Sequence, residues 1–266
     1  MAKAFWKGAI SFGLVVIPVR MYVATQQRTF SLHNLHKKCH TRPKQVWYCP
    51  LDDEYFTSRD TVKGYEYTKG KYVLLTDNDL EKVPVKTKHT IDIFGFVSSE
   101  DIDPVYFYDA HYLEPDELGV KPFSVLRAAL GESGQMGLAK VALQRREHLC
   151  CLRPTERIMV LHTLHYQNEV RSADELTSAA EKPGAEELKM AKTLIQAMET
   201  RFQPDQYEDG YREALRQIIQ AKIEGEEIEV PKVEEAAEVP DLMSALRQSI
   251  EAAQEKGKKE PVGARK

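Results

Sequence analysis

At 266 residues and 42% hydrophobic composition, the chain is long enough to build one large domain or two around a real core. Taken whole, the formal charge of −4 speaks against a general affinity for nucleic acid, and the lack of any run of about 18 apolar residues excludes a membrane helix. The first residues, MAKAFWKGAISFGLVVIPV, are broken by Lys7, Ser11, Gly13 and Pro18 before any cleavage-like site, so no secretory signal is read there. Four cysteines (Cys39, Cys49, Cys150, Cys151), two of them adjacent, make a poor disulfide framework, and a reducing cytoplasm is the expected location.

From Ala9 to Thr25 the β-branched and aromatic residues, with alternation at Ile17, Val19, Met21 and Val23, predict one strand with an irregularity at Pro18. Residues 28–50, RTFSLHNLHKKCHTRPKQVWYCP, hold Arg28, Lys37, Lys38, Arg42 and Lys44 and no acidic residue. Residues 1–72 carry 12 Lys/Arg against 5 Asp/Glu, a net of +7, while residues 73–266 carry 25 against 36, a net of −11. The overall charge therefore conceals a basic N-terminal part. Lys63, Lys69 and Lys71 are interleaved with Tyr65, Tyr67 and Tyr72, and Lys37, Lys38, Arg42 and Lys44 with Phe30, Trp47 and Tyr48. Such a surface can neutralise phosphates while the aromatics pack the strands beneath it.

His33, His36, Cys39, His40 and Cys49 have the chemistry of zinc ligands. Their spacing lacks a C-x-x-C or H-x-x-x-H pair, and Asp52 stands where a second cysteine would follow Cys49. No metal is expected here, and no cofactor elsewhere. Further strands are read at GYEYTKG and KYVLLT, which meet at Lys69-Gly70, and at HTIDIFGFV, VYFYDAHYL, GLAKVALQRR, EHLCCL and RIMVLHTLHY. Short helices are read in DNDLEKV after a Thr76 cap and in FSVLRAALG, closed by Gly131. Many short strands with few helices predict a β-barrel or curved sheet, mainly β with α.

On a strand, Cys150 and Cys151 face opposite ways and cannot share an ion. His162 and His165 fit a strand with apolar flanks and read as structural. GESGQMG lacks the Gly-Lys-Ser/Thr of a phosphate loop, and the chain has no G-x-S-x-G, H-E-x-x-H or G-x-G-x-x-G, so no enzyme is expected.

Beyond Pro183 the period changes. Leu188, Ala191, Leu194, Ile195, Met198 and Phe202 recur at three and four, as do Tyr211, Leu215, Ile218, Ile219 and Ile223 before Gly225, which predicts two amphipathic helices. Residues 226–239 read as an acidic linker. A helix capped by Asp241 then presents Leu242, Met243, Leu246 and Ile250 on one face, and a basic tail runs to residue 266. A short helix beyond a linker has little of its own domain to pack on, which makes it a docking peptide of the helix-in-groove kind; the alternative is that it folds back on the core.

The blocks FWKGAISFGLVVIPVRMY (5–22), VKGYEYTKGKYVLLTDNDL (62–80), IDPVYFYDAHYLEPDE (102–117), HTLHYQNEVR (162–171), EELKMAKTLIQAMETRFQPDQYEDGYREAL (186–215) and PDLMSALRQSI (240–250) resemble the prokaryotic Ku proteins of DNA end joining, in family order and over almost the whole chain. The resemblance implies a Ku-type barrel core over residues 1–182 with an arm at about 28–72 arching over DNA, and a helical region at 183–225. It further implies a ring-shaped homodimer that threads double-stranded DNA ends without sequence preference, has no catalytic activity, and recruits ATP-dependent DNA ligase D through residues 240–266. Many relatives carry a C-x-x-C where this chain has Cys49 and Asp52.

On this reading Lys37, Lys38, Arg42 and Lys44 contact phosphates, Lys63, Lys69 and Lys71 come second, and one of Arg145 and Arg146 joins them from a hairpin. Leu188, Leu194 and Met198 meet the partner subunit, and the Leu242, Met243, Leu246 and Ile250 face meets the ligase. The expected site of action is the cytoplasm, at breaks in the nucleoid. Two rivals are a non-enzymatic scaffold whose basic arm binds an acidic protein and a metal-dependent hydrolase using the Cys/His cluster.

Overall fold

The computed structural model describes residues 3–84, 87, 89–144, 146–174, 176, 182–225 and 242–259, with side chains described as far as 253 in the last segment. The chain divides into two units, Met1–Ala173 and Asp174–Lys266. In chain order, the first unit contains β1 (Trp6–Phe12), β2 (Val15–Val23), β3 (Trp47–Cys49), β4 (Glu54–Phe56), β5 (Lys63–Thr68), β6 (Lys71–Leu75), α1 (Asp77–Glu81), β7 (Thr90–Ser98), β8 (Phe107–Pro115), α2 (Val120–Ser133), β9 (Gln135–Leu143), β10 (Arg146–Pro154) and β11 (Met159–Leu164). The second contains α3 (Ala185–Ala197), α4 (Gly210–Glu224) and α5 (Leu242–Lys259).

Seven strands close into a barrel in the order β1-β2-β8-β11-β10-β9-β7. Neighbours are antiparallel except at the seam, where β1 runs parallel to β7 through Ala9↔Thr90, Ile10↔Ile91 and Ser11↔Asp92. Period-2 alternation aims Ile17, Val19 and Met21 of β2 inward, where they join Ile10, Ile91, Leu113, Val141, Cys150, Leu152 and Leu161 in one core. Helix α2 adds Phe123, Leu126 and Leu130, three and four residues apart on one face, to the same core. Each of these side chains, fully buried, contributes roughly 1.5–3 kcal/mol.

A second cluster lies on the other face of the wall, where Met136, Cys151 and Leu164 are covered by Ile102 and Tyr106 from the segment leading into β8 and by Phe107 at its start. Cys150 and Cys151 therefore point apart as the strand period requires. Burial raises both thiols, Cys150 well above its ordinary value and Cys151 to about 11, so both are inert packing residues.

Two sequence expectations are corrected by chain geometry. The segment read as one strand from Ala9 to Thr25 is a hairpin: Gly13 takes a left-handed φ of 58°, and Phe12 pairs with Val15 across a two-residue turn. The hydrophobic run masks that turn because both arms are core strands. Helix α2 does not stop at Gly131 but runs through it to Gly134, whose φ of 66° forms the left-handed C-terminal cap. Gly131 has no chain end to serve and sits on the exposed side of the helix.

Between β2 and β7 the described residues leave the barrel for an irregular stretch (24–46), two hairpins, β3–β4 and β5–β6, and helix α1; the segment expected to form the arm, about 28–72, lies here. The β5–β6 hairpin turns at Lys69-Gly70, where Gly70 has φ 76° and donates its N–H to Glu66 Oε1 at 2.7 Å. Thr76 caps α1 by accepting the Asp79 N–H at 3.2 Å.

In the second unit, α3 and α5 lie against each other. Gly225, φ 79°, ends α4 as the sequence predicts. Helix α5 thus has a neighbour within its own unit, which the reading of a bare peptide on a tether did not anticipate. The acidic linker at 226–239, the Asp241 cap and the tail at 260–266 fall outside the described residues. Among the described residues no helix is long and apolar enough to cross a membrane.

Candidate nucleic-acid interface

The irregular stretch 24–46 is pinned by few hydrogen bonds of its own. The His36 N–H donates to the Thr41 carbonyl at 2.9 Å and the His40 N–H to the His36 carbonyl at 2.7 Å, closing one tight turn. Lys37 and Lys38 sit at its tip and are exposed. Arg42 and Lys44 line an open hollow of ≈ 520 Å³ together with His33 and Asn34. None of these four cations makes an ion pair among the described residues. An exposed strip of unpaired cations with no carboxylate between Arg28 and Lys44 is suited to a polyanion, whose condensed counterions it would displace.

The second-choice lysines lie on the β5–β6 hairpin. Lys63 opens β5 and faces Asp77 at 3.9 Å, an exposed pair that is weak in water. Lys69 and Lys71 flank the hairpin turn, exposed and unpaired among the described residues. Arg146 opens β10 and is engaged with Glu169 at 2.5 Å. Arg145 lies outside the described residues. The preceding Gln144 has a left-handed φ of 49°, so a hairpin turn does join β9 to β10 at this point. Sequence reading missed Glu169 as the counter-ion because 23 residues separate it from Arg146.

The aromatics of the arm are not packed as the sequence suggested. Trp47, Tyr65, Tyr67 and Tyr72 are 53%, 64%, 61% and 59% exposed. A two-stranded hairpin has no second layer to cover either face; on the β3–β4 hairpin the rings meet cross-strand neighbours, Trp47 on Phe56 at 6.5 Å and Tyr48 beside Tyr55 at 5.2 Å. Exposed rings on two short hairpins are a kind of surface that interaction sites use.

On the helical unit, Leu188 and Met198 are 44% and 65% exposed, while Leu194 is half-buried. On α5, Met243, Leu246 and Ile250 are half-buried and Leu242 is exposed. Neither α3 nor α4 contains a fully buried residue.

The family model described as the Ku70/Ku80 beta-barrel domain matches residues 11–190. Among curated proteins, the chain is 40% identical to a protein named Non-homologous end joining protein Ku from Solibacter usitatus, over 100% of this chain and 99% of that one. Proteins of the same name from Bacillus subtilis and Archaeoglobus fulgidus are 38% and 40% identical, over 97% and 94% of this chain and 85% and 99% of theirs. A solved structure of the SPOC domain of human PHD-finger protein 3 matches at 13% identity and a TM-score of 0.30, over 61% of this chain and 95% of that one, which carries no argument.

Proposed function

Because the chain belongs to the Ku family of non-homologous end joining proteins, we propose that it is a homodimer that binds double-stranded DNA ends without sequence preference and recruits ATP-dependent DNA ligase D to them. The observation that carries the reading is the arm: an exposed, carboxylate-free strip from Arg28 to Lys44 whose Lys37, Lys38, Arg42 and Lys44 have no ion-pair partner among the described residues. Contacts of this kind go to phosphate, which carries no sequence information, and a factor meeting arbitrary broken ends needs no more. A net negative chain is compatible with this role, since only the surface meeting DNA must be cationic.

The dimer draws support from the second unit, where Leu188, Ile195, Met198, Tyr211 and Ile223 are open to solvent on helices without a buried core. Ligase recruitment is assigned to residues 240–266, with Leu242 the most open position of the α5 stripe. The role is binding, with no catalytic step of its own.

Mobility-shift titrations of linear duplex against covalently closed circles of the same sequence test end binding. Preference for the linear form supports it, and equal capture of both refutes it in favour of a general polyanion binder. Leu188→Glu, at a site 44% exposed, should shift the sedimentation profile toward monomer, and an unaltered profile would count against the dimer face. Deleting residues 226–266 should leave end binding intact and abolish ligase stimulation; retained stimulation removes the recruitment assignment.

A further inference from the structure

Helix α5 carries one apolar stripe, and that stripe is already covered within its own unit. Met243, Leu246, Ile250 and Ala253 recur at three and four and are each half-buried, while Arg247, Gln248 and Glu251 on the opposite face are exposed. The element that α5 lies against is α3. That helix has a covered stripe at similar spacing, Glu187, Met190, Ala191 and Leu194, all half-buried. Leu188 and Ile195, roughly a quarter of a turn away, stay 44% and 69% exposed. The two covered stripes are thus the faces through which α3 and α5 meet.

A groove captures an amphipathic helix through its apolar face. The polar side of α5, with Arg247, Gln248 and Glu251, offers such a groove nothing to bury, and the apolar side cannot lie on α3 and in a groove at once. We propose that the packing of α5 on α3 is an autoinhibitory latch: the free chain keeps its ligase-recruiting face covered, and the ligase takes the place of α3 on the Met243, Leu246 and Ile250 stripe. The latch rests on the assignment of recruitment to residues 240–266. Leu242, 58% exposed in the first turn of α5 and on the edge of the stripe, is the point at which an incoming groove gains its first hold.

The contact is of a kind that opens. Both stripes are half-buried along their length, and α3 has no fully buried residue, so docking removes only part of each side chain from water. Elements held by so little buried apolar surface belong to the low-stability end of a structure and open locally without global unfolding. Because the competent form is the undocked one, the apparent ligase affinity equals the intrinsic affinity scaled by the undocked fraction. If about one chain in ten is undocked at rest, releasing the latch tightens binding about tenfold. Packing supplies most of the stability of a helix in a protein, so an undocked α5 also loses helicity until the ligase groove restores it.

The test uses full-length protein altered on the α3 side, where a change weakens the latch and leaves the recruiting stripe intact. Met190→Glu and, separately, Ala191→Glu place a charge in the covered face of α3 and keep a good helix former there. Hydrogen exchange should show the amides of residues 242–253 exchanging roughly tenfold faster in both variants than in the wild type, with barrel amides unchanged. Titration with purified ligase D should then give binding roughly three- to tenfold tighter. Leu246→Glu, on the recruiting side, should weaken ligase binding by about tenfold or more. Unchanged α5 amides in both α3 variants, or faster amides with ligase binding no tighter, overturn the latch and leave recruitment standing. Ligase binding by Leu246→Glu equal to that of the wild type overturns recruitment through this stripe, and the latch with it.

Discussion

Arg146 at the start of β10 donates to Glu169 at 2.5 Å, and Glu169 also accepts the Tyr166 N–H at 2.9 Å. The Tyr166 hydrogen bond and then the guanidinium hold the Glu169 carboxyl below the usual carboxylate range. Arg146 therefore reaches DNA only by leaving or sharing this partner. Glu169→Gln should raise affinity for duplex ends roughly two- to fivefold at low salt, by freeing the guanidinium and removing a like charge to phosphate. Arg146→Ala should cost less affinity than neutralising Lys37 or Arg42. Equal losses at all three in binding titrations would put Arg146 in full contact with DNA.

His111 is 8% exposed in the barrel, its ring 5.3 Å from Phe5, and its Nδ1 has no hydrogen-bond partner among the described residues. Burial lowers its pKa, with Asp109 pulling upward and His148 downward. The unfolded chain, with histidine near 6.5, therefore binds the proton more readily, so stability is lost as pH falls through that value toward the lower folded one. His148 and His162 shift the same way, also chiefly through burial. Melts from about pH 7 to about pH 5 should show a falling midpoint, and His111→Leu should flatten the trend. An identical slope in the variant would contradict the assignment.

Gly119 is buried where its missing Cβ would stand 2.5 Å from the Pro18 carbonyl oxygen and 3.4 Å from Ile17 Cγ2. The same carbonyl accepts the Asp116 N–H at 2.9 Å, so the turn into α2 is held tightly on β2. Gly119→Ala should cost about 1–3 kcal/mol in denaturant unfolding. Gly131→Ala, in helical backbone with open space around it, should be neutral or stabilise by up to about 1 kcal/mol. Similar effects at the two sites would show that the turn yields.

Replacing Lys37, Lys38, Arg42 and Lys44 together with Gln should flatten the dependence of log affinity on log salt by about 3 to 4, at roughly 0.9 for each phosphate left without its cation. Lys140, tied to Glu147 at 3.0 Å on the barrel, is the control and should leave the slope unchanged when replaced by Gln. A slope insensitive to the fourfold change would move the DNA-binding surface elsewhere.

The barrel was legible because its strands repeat apolar residues at period 2, as in Ile17, Val19 and Met21 or Cys150 and Leu152, and the amphipathic period gave α3 and α4. What stayed hidden depends on pairing across the chain. The parallel β1–β7 seam joins residues about 80 apart, and the Gly13 turn is invisible inside a continuous apolar run. The cations of the arm could be read from composition, but their pairing could not: Arg146 and Glu169 look unrelated in sequence, whereas Lys37 and Lys38 make no ion pair among the described residues. The packing of α5 on α3 was obscured because each helix has an apolar stripe that suits an internal neighbour as well as a partner.

Threading of duplex from a free end by a ring-shaped homodimer, which the family resemblance implies, is tested most directly by loading the protein on a linear duplex and then blocking both ends with bulky caps. Capped complexes should survive a salt and competitor chase that strips open-ended ones, and duplex capped before mixing should not be bound. Equal dissociation from open and capped duplex, or ready binding to duplex already capped, would contradict it.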